Sequence, residues 1–322
     1  MKILLPKDVK STFKRHRRLI IGSALLWAVW MFGLGALGGW LLSKGSLQKF
    51  AALTSQDRLL ILAPHIDDES LSSAGLIQEA LSVGASVRVV YVTNGDENLA
   101  SLMHSTRRLD LTPEAFISLG ETRMFEAQQA TSKLNLPASS LIFLGFPDQG
   151  LTPMLSKNFT EQSPFASSGT RFSFNPYSNT YHPGEIYAGT NLVTNLRDIL
   201  TDFKPTVVIA PHPRDKHPDH RAVYQYLERA KAEVPDLSFK TYTYLAHYTL
   251  YPPQKRYAPI DFLYPPKKLF APESWYSFNL SADQESHKLE AINEYHTQLK
   301  FALISNFLRS FVKRNEIFED MD

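Results

Sequence analysis

An α/β fold, with a mostly parallel sheet and helices on both of its faces, is predicted by three observations. Short apolar runs recur along the chain: "RLLILAP" (58–64), "SVRVVYVTNG" (86–95), "SSLIFLGFPD" (139–148) and "PTVVIAP" (205–211). Continuous runs of this length suit parallel strands buried on both faces. Between them lie segments with helical spacing, so strand and helix alternate, as an open sheet covered by helices requires.

Each element has a local reason. The first helix, 69–82, follows an acidic cluster, and the second, 114–134, is rich in Glu, Ala, Gln and Arg, which favour helix. Helices are predicted at 188–203 and 219–233. A β-rich stretch, "LSFKTYTYLAHYTLY", follows, and a last helix runs from about 282 to 311. Residues 96–113 and 149–187 are long, polar and rich in Ser, Thr, Pro and Asn, as lids and binding loops often are. The chain has no internal repeat.

With 322 residues, 43% of them hydrophobic, the chain can bury a large core. Its net charge of +2 is uneven: the first 18 residues carry seven Lys and Arg against Asp8, leaving a mildly acidic body. Such a body argues against a nucleic-acid partner, because phosphate-backbone affinity needs clustered cations. The absence of Cys excludes disulfides, thiol nucleophiles and Cys-ligated zinc.

Leu19 to Leu42, "LIIGSALLWAVWMFGLGALGGWLL", is 24 residues without a charge. As a helix rising about 1.5 Å per residue it reaches roughly 36 Å, enough to cross a bilayer core of about 30 Å. The predicted organisation is a basic cytoplasmic tail (1–18), a transmembrane signal anchor (19–42), a linker (43–57) and a folded domain (58–322). The basic flank predicts a cytoplasmic N-terminus, hence a single-pass protein of the cell membrane with that domain outside.

Chemistry-bearing residues gather in two windows. "LAPHIDDES" (62–70) follows the first strand, and "APHPRDKHPDHRA" (210–222) follows the fourth. Both strands end in Ala-Pro-His and spill polar side chains beyond their carboxyl ends, where ligand crevices form in open α/β sheets. The acids alone could simply cap a helix. Together the windows hold two or more imidazoles, several carboxylates and no thiolate, a set that suits a catalytic metal site with an open position. Such a site acidifies bound water to a pKa of about 7, a spare carboxylate serves as base, and a spare His stabilises an oxyanion or donates a proton. His182, His247, His287 and His296 read as surface or packing histidines, Glu69 as a helix-start charge, and Lys313 with Arg314 as a solvated face.

"APHIDDESLSSAG" followed by "PHPRDKHPDHRAV" resembles the paired signature of the PIG-L/LmbE family of metal-dependent de-N-acetylases. The stretches "ETRMFEAQQATSKLNLP", "LIFLGFPDQGL" and "KLEAINEYHTQ" are similar to secondary family stretches. The family usually has Ala-His-Pro-Asp-Asp-Glu, whereas this chain has Pro64 before the His and Ile66 after it. The resemblance implies a Rossmann-like domain that removes acetyl from N-acetylglucosamine-type sugars. It implies one Zn2+ per chain, or another divalent metal such as Fe2+, held by His65, Asp68 and His220. It further implies Asp67 as general base, His217 as oxyanion partner or acid, and Asp219 orienting His217. Arg123 would contact substrate, and Asp148 a sugar hydroxyl. A metal-dependent phosphoesterase and a non-catalytic glycan-binding module are the alternatives.

Overall fold

The computed structural model describes residues 47–97 and 112–322. Leu47–Asp322 forms one compact unit. Its centre is an eight-stranded sheet in the order β1-β7-β8-β6-β5-β2-β3-β4. In chain order the strands are β1 Gln48–Lys49, β2 Arg58–Ala63, β3 Ser86–Thr93, β4 Leu141–Phe146, β5 Val207–Pro211, β6 Lys240–Tyr244, β7 Trp275–Asn279 and β8 Asn315–Asp320. All neighbours pair in parallel except β8, which runs antiparallel to both β6 and β7.

The main helices are α1 Asp68–Ser82, α2 Pro113–Lys133, a single turn α3 Leu151–Met154, α4 Gly189–Phe203 and α5 Pro218–Ala232. Three shorter ones follow: α6 Ala282–Asn293, α7 His296–Leu299 and α8 Ala302–Arg309. The strands alternate between two cores. Leu59, Ile61 and Ala63 of β2 pack on one face, with Ile77 of α1, Ala127 of α2 and Ile292 of α6. Leu60 and Leu62 pack on the other, with Leu196 of α4 and Val223 of α5. Both faces being covered is why "RLLILA" is apolar throughout.

The chain steps outward from β2 to β3 and β4, then returns to place β5 on β2's other edge and continues to β6. The strand order thus reverses between β2 and β5. At such a switch point the connections leave in opposite directions and open a crevice beyond the strand ends.

Several elements differ from expectation. The predicted last helix is broken into α6, α7 and α8. Glu126 of α2 accepts from Thr297 N and Thr297 Oγ1 at 2.7 Å each, and Gln298 donates to Ile66 O at 3.1 Å. These tertiary bonds turn residues 297–298 inward. β7 and β8 were not expected, and they make the sheet mixed. Within the segment expected as a linker, Gln48–Lys49 pairs with β7 and Phe50 is buried against Tyr242 and Phe318. Lys313 is not on a solvated face: it is 2% exposed and donates to Ala258 O at 3.2 Å.

The expected transmembrane helix, Leu19–Leu42, lies outside the described residues. Among those described, no helix is long and apolar enough to cross a membrane. The longest, α2, has 21 residues but carries Glu114, Glu121, Arg123, Glu126 and Lys133. This finding corrects the placement as a single-pass membrane protein with an external catalytic domain.

Candidate active site

The carboxyl ends of β2 and β5 sit side by side at the switch point, and each hands its sequence window to the same crevice. From β2 come His65, Asp67 and Asp68, the last opening α1. From β5 comes the loop to His217, which is the N-cap of α5, with Asp219 and His220 in its first turn. The ends of β3, β4 and β6 add Glu97, Asp148 with Gln149, and His247.

Helix capping does not account for the acids of the first window. Asp67 occupies the N-cap position of α1 but makes no side-chain cap bond. Its φ of 131° is a conformation that L side chains rarely adopt. Asp68 is fully buried. Its Oδ2 accepts from the His65 amide at 3.0 Å and lies 3.5 Å from His65 Nδ1 and 3.2 Å from His220 Nε2. The three expected metal ligands are therefore brought together, with Asp68 between two imidazoles.

The electrostatics divide the two adjacent acids. Burial and the Asp68 charge push the Asp67 carboxyl up to about 7, against the opposing pull of Arg123 and His65. Burial also works against ionised Asp68, but the imidazoles of His220 and His65 outweigh it and hold the group well below the usual carboxylate range. Burial disfavours charge on His220 as well, yet Asp68 and Asp215 raise it to about 9. His217 is driven the other way, to about 3, by burial and the positive fields of His65 and His220. Its Nδ1 accepts from the Asp219 amide at 3.2 Å. A neutral His217 with Nδ1 as acceptor carries its proton on Nε2, ready to donate.

Two expected contacts are rearranged. Asp219 meets His217 through its amide rather than its carboxylate. Its Oδ2 instead accepts from the Gln149 amide at 2.8 Å and lies 3.4 Å from His65 Nε2. Asp148 Oδ1 is 3.5 Å from the same nitrogen. Arg123 was expected to contact substrate, but its guanidinium donates to Gly95 O at 2.6 Å and Ile66 O at 2.7 Å. It lies 3.8 Å from Asp67 Oδ2. Arg123 is 3% exposed, and its planar fork braces the turn that holds Asp67.

Three groups could hold a cation, each offering ligand atoms within 4.8 Å of one another: His65 with His217 and His220, Asp68 with His220 and His247, and His65 with Asp148 and Asp219. Asp68 Oδ1, Asp219 Oδ1 and both ring nitrogens of His220 are buried without a hydrogen-bond partner. Buried polar atoms in that state are costly unless something else satisfies them. The donor set, imidazole plus carboxylate, fits a divalent cation such as zinc.

Asp215 and His247 were missed as site residues. Asp215 is buried and accepts from the amides of His217, Ala246 and His247, with its Oδ2 3.6 Å from His220 Nδ1. The carboxylate thus faces the His220 ring on its Nδ1 side, while Asp68 faces Nε2. His247 follows β6 in "YLAH", a third apolar run ending in His, and that repetition was the available signal. Glu69 stays off the metal groups and bonds Ser70 and Tyr295. The crevice itself is about 370 Å³, lined by His65, Asp67, Glu97, Arg123, Asp148, Gln149, His217, His247 and Gln298.

Residues 60–231 match the model of the PIG-L family, described as GlcNAc-PI de-N-acetylase. A 1D-myo-inositol 2-acetamido-2-deoxy-alpha-D-glucopyranoside deacetylase of Mycobacterium sp. (strain KMS) is 29% identical over 184 residues, 55% of this chain and 52% of the relative. A protein of the same name from Mycobacterium leprae (strain Br4923) is 28% identical over 177 residues, 52% of this chain and 48% of the relative. The chain thus spans about half the length of the curated relatives it matches. Among solved structures, N,N'-diacetylchitobiose deacetylase from Pyrococcus horikoshii superposes with TM-score 0.50 at 18% identity, over 82% of this chain and 83% of that one. A deacetylase of teicoplanin biosynthesis superposes with TM-score 0.51 at 19% identity, over 82% of this chain and 97% of the other. At these identities the structures speak to the fold, while the family match covers more than half of the sequence and both windows, 62–70 and 210–222. The chain belongs to the PIG-L family of GlcNAc-PI de-N-acetylases.

Proposed function

We propose that this protein hydrolyses the acetamide of an N-acetylglucosamine-type sugar, with the activity carried by residues 58–322. One observation carries the reading. Asp67 and His217, a carboxyl and an imidazole, line one pocket beside the buried Asp68–His220 pair, where Asp68 Oδ1 and both His220 ring nitrogens have no hydrogen-bond partner. Burial and neighbouring charges push the carboxyl up and the imidazole down, as separate base and acid roles require. The deacetylase names of the relatives and of the family support the same reaction class.

His65, Asp68 and His220 would hold a divalent cation, most simply Zn2+. When bound, such a cation polarises an amide carbonyl and acidifies water. Asp67 takes the proton of the attacking water at its carboxylate. His217 donates its Nε2 proton toward the carbonyl oxygen as negative charge grows there. As the C–N bond breaks, the proton held by Asp67 passes to the departing amine, so acetate and the free amino sugar leave. Arg123 and Gln298 hold the Ile66 carbonyl and so keep Asp67 aimed at the pocket. Asp148 and Gln149 at the pocket wall offer polar groups to sugar hydroxyls.

The test is acetate release from a panel that includes N-acetylglucosaminyl-inositol and N,N'-diacetylchitobiose, with and without chelator. Asp67→Asn is expected to abolish turnover and retain stoichiometric metal. Full metal loading with no acetate release from any N-acetylated sugar would overturn the proposal.

A further inference from the structure

We propose that His247 is a ligand of the metal centre, joining Asp68 and His220. The inference rests on the reading of this pocket as a metal site, but not on the reaction carried out there. Asp68, His220 and His247 each present a ligand atom, and the three atoms lie within 4.8 Å of one another.

The imidazole of His247 is held for such a task. Its amide donates to Asp215 Oδ2 at 2.9 Å, and its carbonyl accepts from Lys216 N at 2.9 Å. Both bonds tie it to the loop that carries His217. The ring stacks on Phe307 at 5.3 Å and 24°, and meets His220 edge-on at 4.9 Å. Among the described residues its ring nitrogens make no hydrogen bond, while the ring lines the pocket. With its backbone anchored and its ring stacked on Phe307, the imidazole stands beside His220 at the pocket wall, where a cation bound by Asp68 and His220 comes within its reach.

The test uses the full chain stripped of metal and titrated with Zn2+ and with Co2+. His247→Ala and His247→Phe, the latter keeping an aromatic ring against Phe307, are compared with wild type. The expected result is at least tenfold weaker Zn2+ binding in both variants and a shifted visible spectrum of the Co2+ form. Unchanged affinity and spectrum in both variants overturn the inference and leave the metal reading standing. A wild-type protein that binds no divalent cation overturns both. Wild-type protein with labelled imidazoles gives a readout independent of variant folding. Three strongly contact-shifted histidine rings are expected in the Co2+ form, and two would overturn the inference.

Discussion

The guanidinium of Arg123 donates to the carbonyl oxygen of Ile66 at 2.7 Å, gripping the peptide that leads into Asp67 with its φ of 131°. A strained backbone persists only where its surroundings over-determine it. Here the same guanidinium also donates to Gly95 O, and Gln298 donates to Ile66 O as well.

Arg123 is therefore a positioning residue, and Arg123→Ala should lower kcat about a hundredfold with KM little changed. Loss of two charge-assisted bonds should also cost roughly 2–4 kcal/mol in urea unfolding. Lys cannot reproduce the fork, so Arg123→Lys should recover only part of the activity. A raised KM at unchanged kcat would instead place Arg123 on the substrate.

Asp215 gathers three backbone amides and faces His220 Nδ1 at 3.6 Å. Asp215→Ala should weaken metal affinity about 10- to 100-fold, measured by competition with a chromophoric chelator. Asp215→Asn keeps one acceptor oxygen and should fall between the alanine variant and wild type.

Asp96 is buried, with Oδ2 accepting from Tyr177 at 2.6 Å and Oδ1 unpartnered. Burial and the Asp148 charge push it up to about 7 from an ordinary value of 3.8. The folded state thus holds this proton more tightly than the unfolded chain. The group's contribution to stability is complete below pH about 4 and is lost as pH rises through about 7. Between those two values each step of one in pH weakens the fold by at most about 1.4 kcal/mol. Asp96→Asn should remove that loss. Its stability relative to wild type should climb between about pH 4 and pH 7, and a pH-independent difference would sink the assignment.

Lys288 and Glu316 form a fully buried ion pair at 2.8 Å. Lys288 also donates to Leu71 O, and Glu316 accepts from the amides of Gly75 and Leu76. The pair therefore grips α1, the helix that begins with Asp68. Lys288→Ala strands the carboxylate and should cost about 3–5 kcal/mol by chemical denaturation. The double variant Lys288→Met with Glu316→Gln should recover part of the loss, because it removes the stranded charge.

The alternating sheet was legible because each central strand is buried on both faces, and burial on both faces demands an unbroken apolar run. β7 and β8 were not legible. Trp275–Asn279 and Asn315–Asp320 mix polar and apolar residues, and their pairing is set by partners far away in the chain. The last helix broke for a similar reason, since Thr297 and Gln298 satisfy helical spacing but find stronger partners in Glu126 and Ile66.

The sequence alone determined the α/β class and the two windows, because strand ends and metal-type side chains are local properties. It also carried the family resemblance, down to the Asp-Asp-Glu and His-Pro-Asp-His clusters. Only the tertiary structure decided which atoms face each other. The reversal of strand order between β2 and β5 brings His65, Asp68 and His220 together across more than 150 residues of chain. It turned Asp219's carboxylate to His65, committed Arg123 to the backbone, and drew Asp215 and His247 into the site. Those outcomes depend on burial and on which hydrogen-bond partner lies within reach, and neither is a property of a residue and its sequence neighbours.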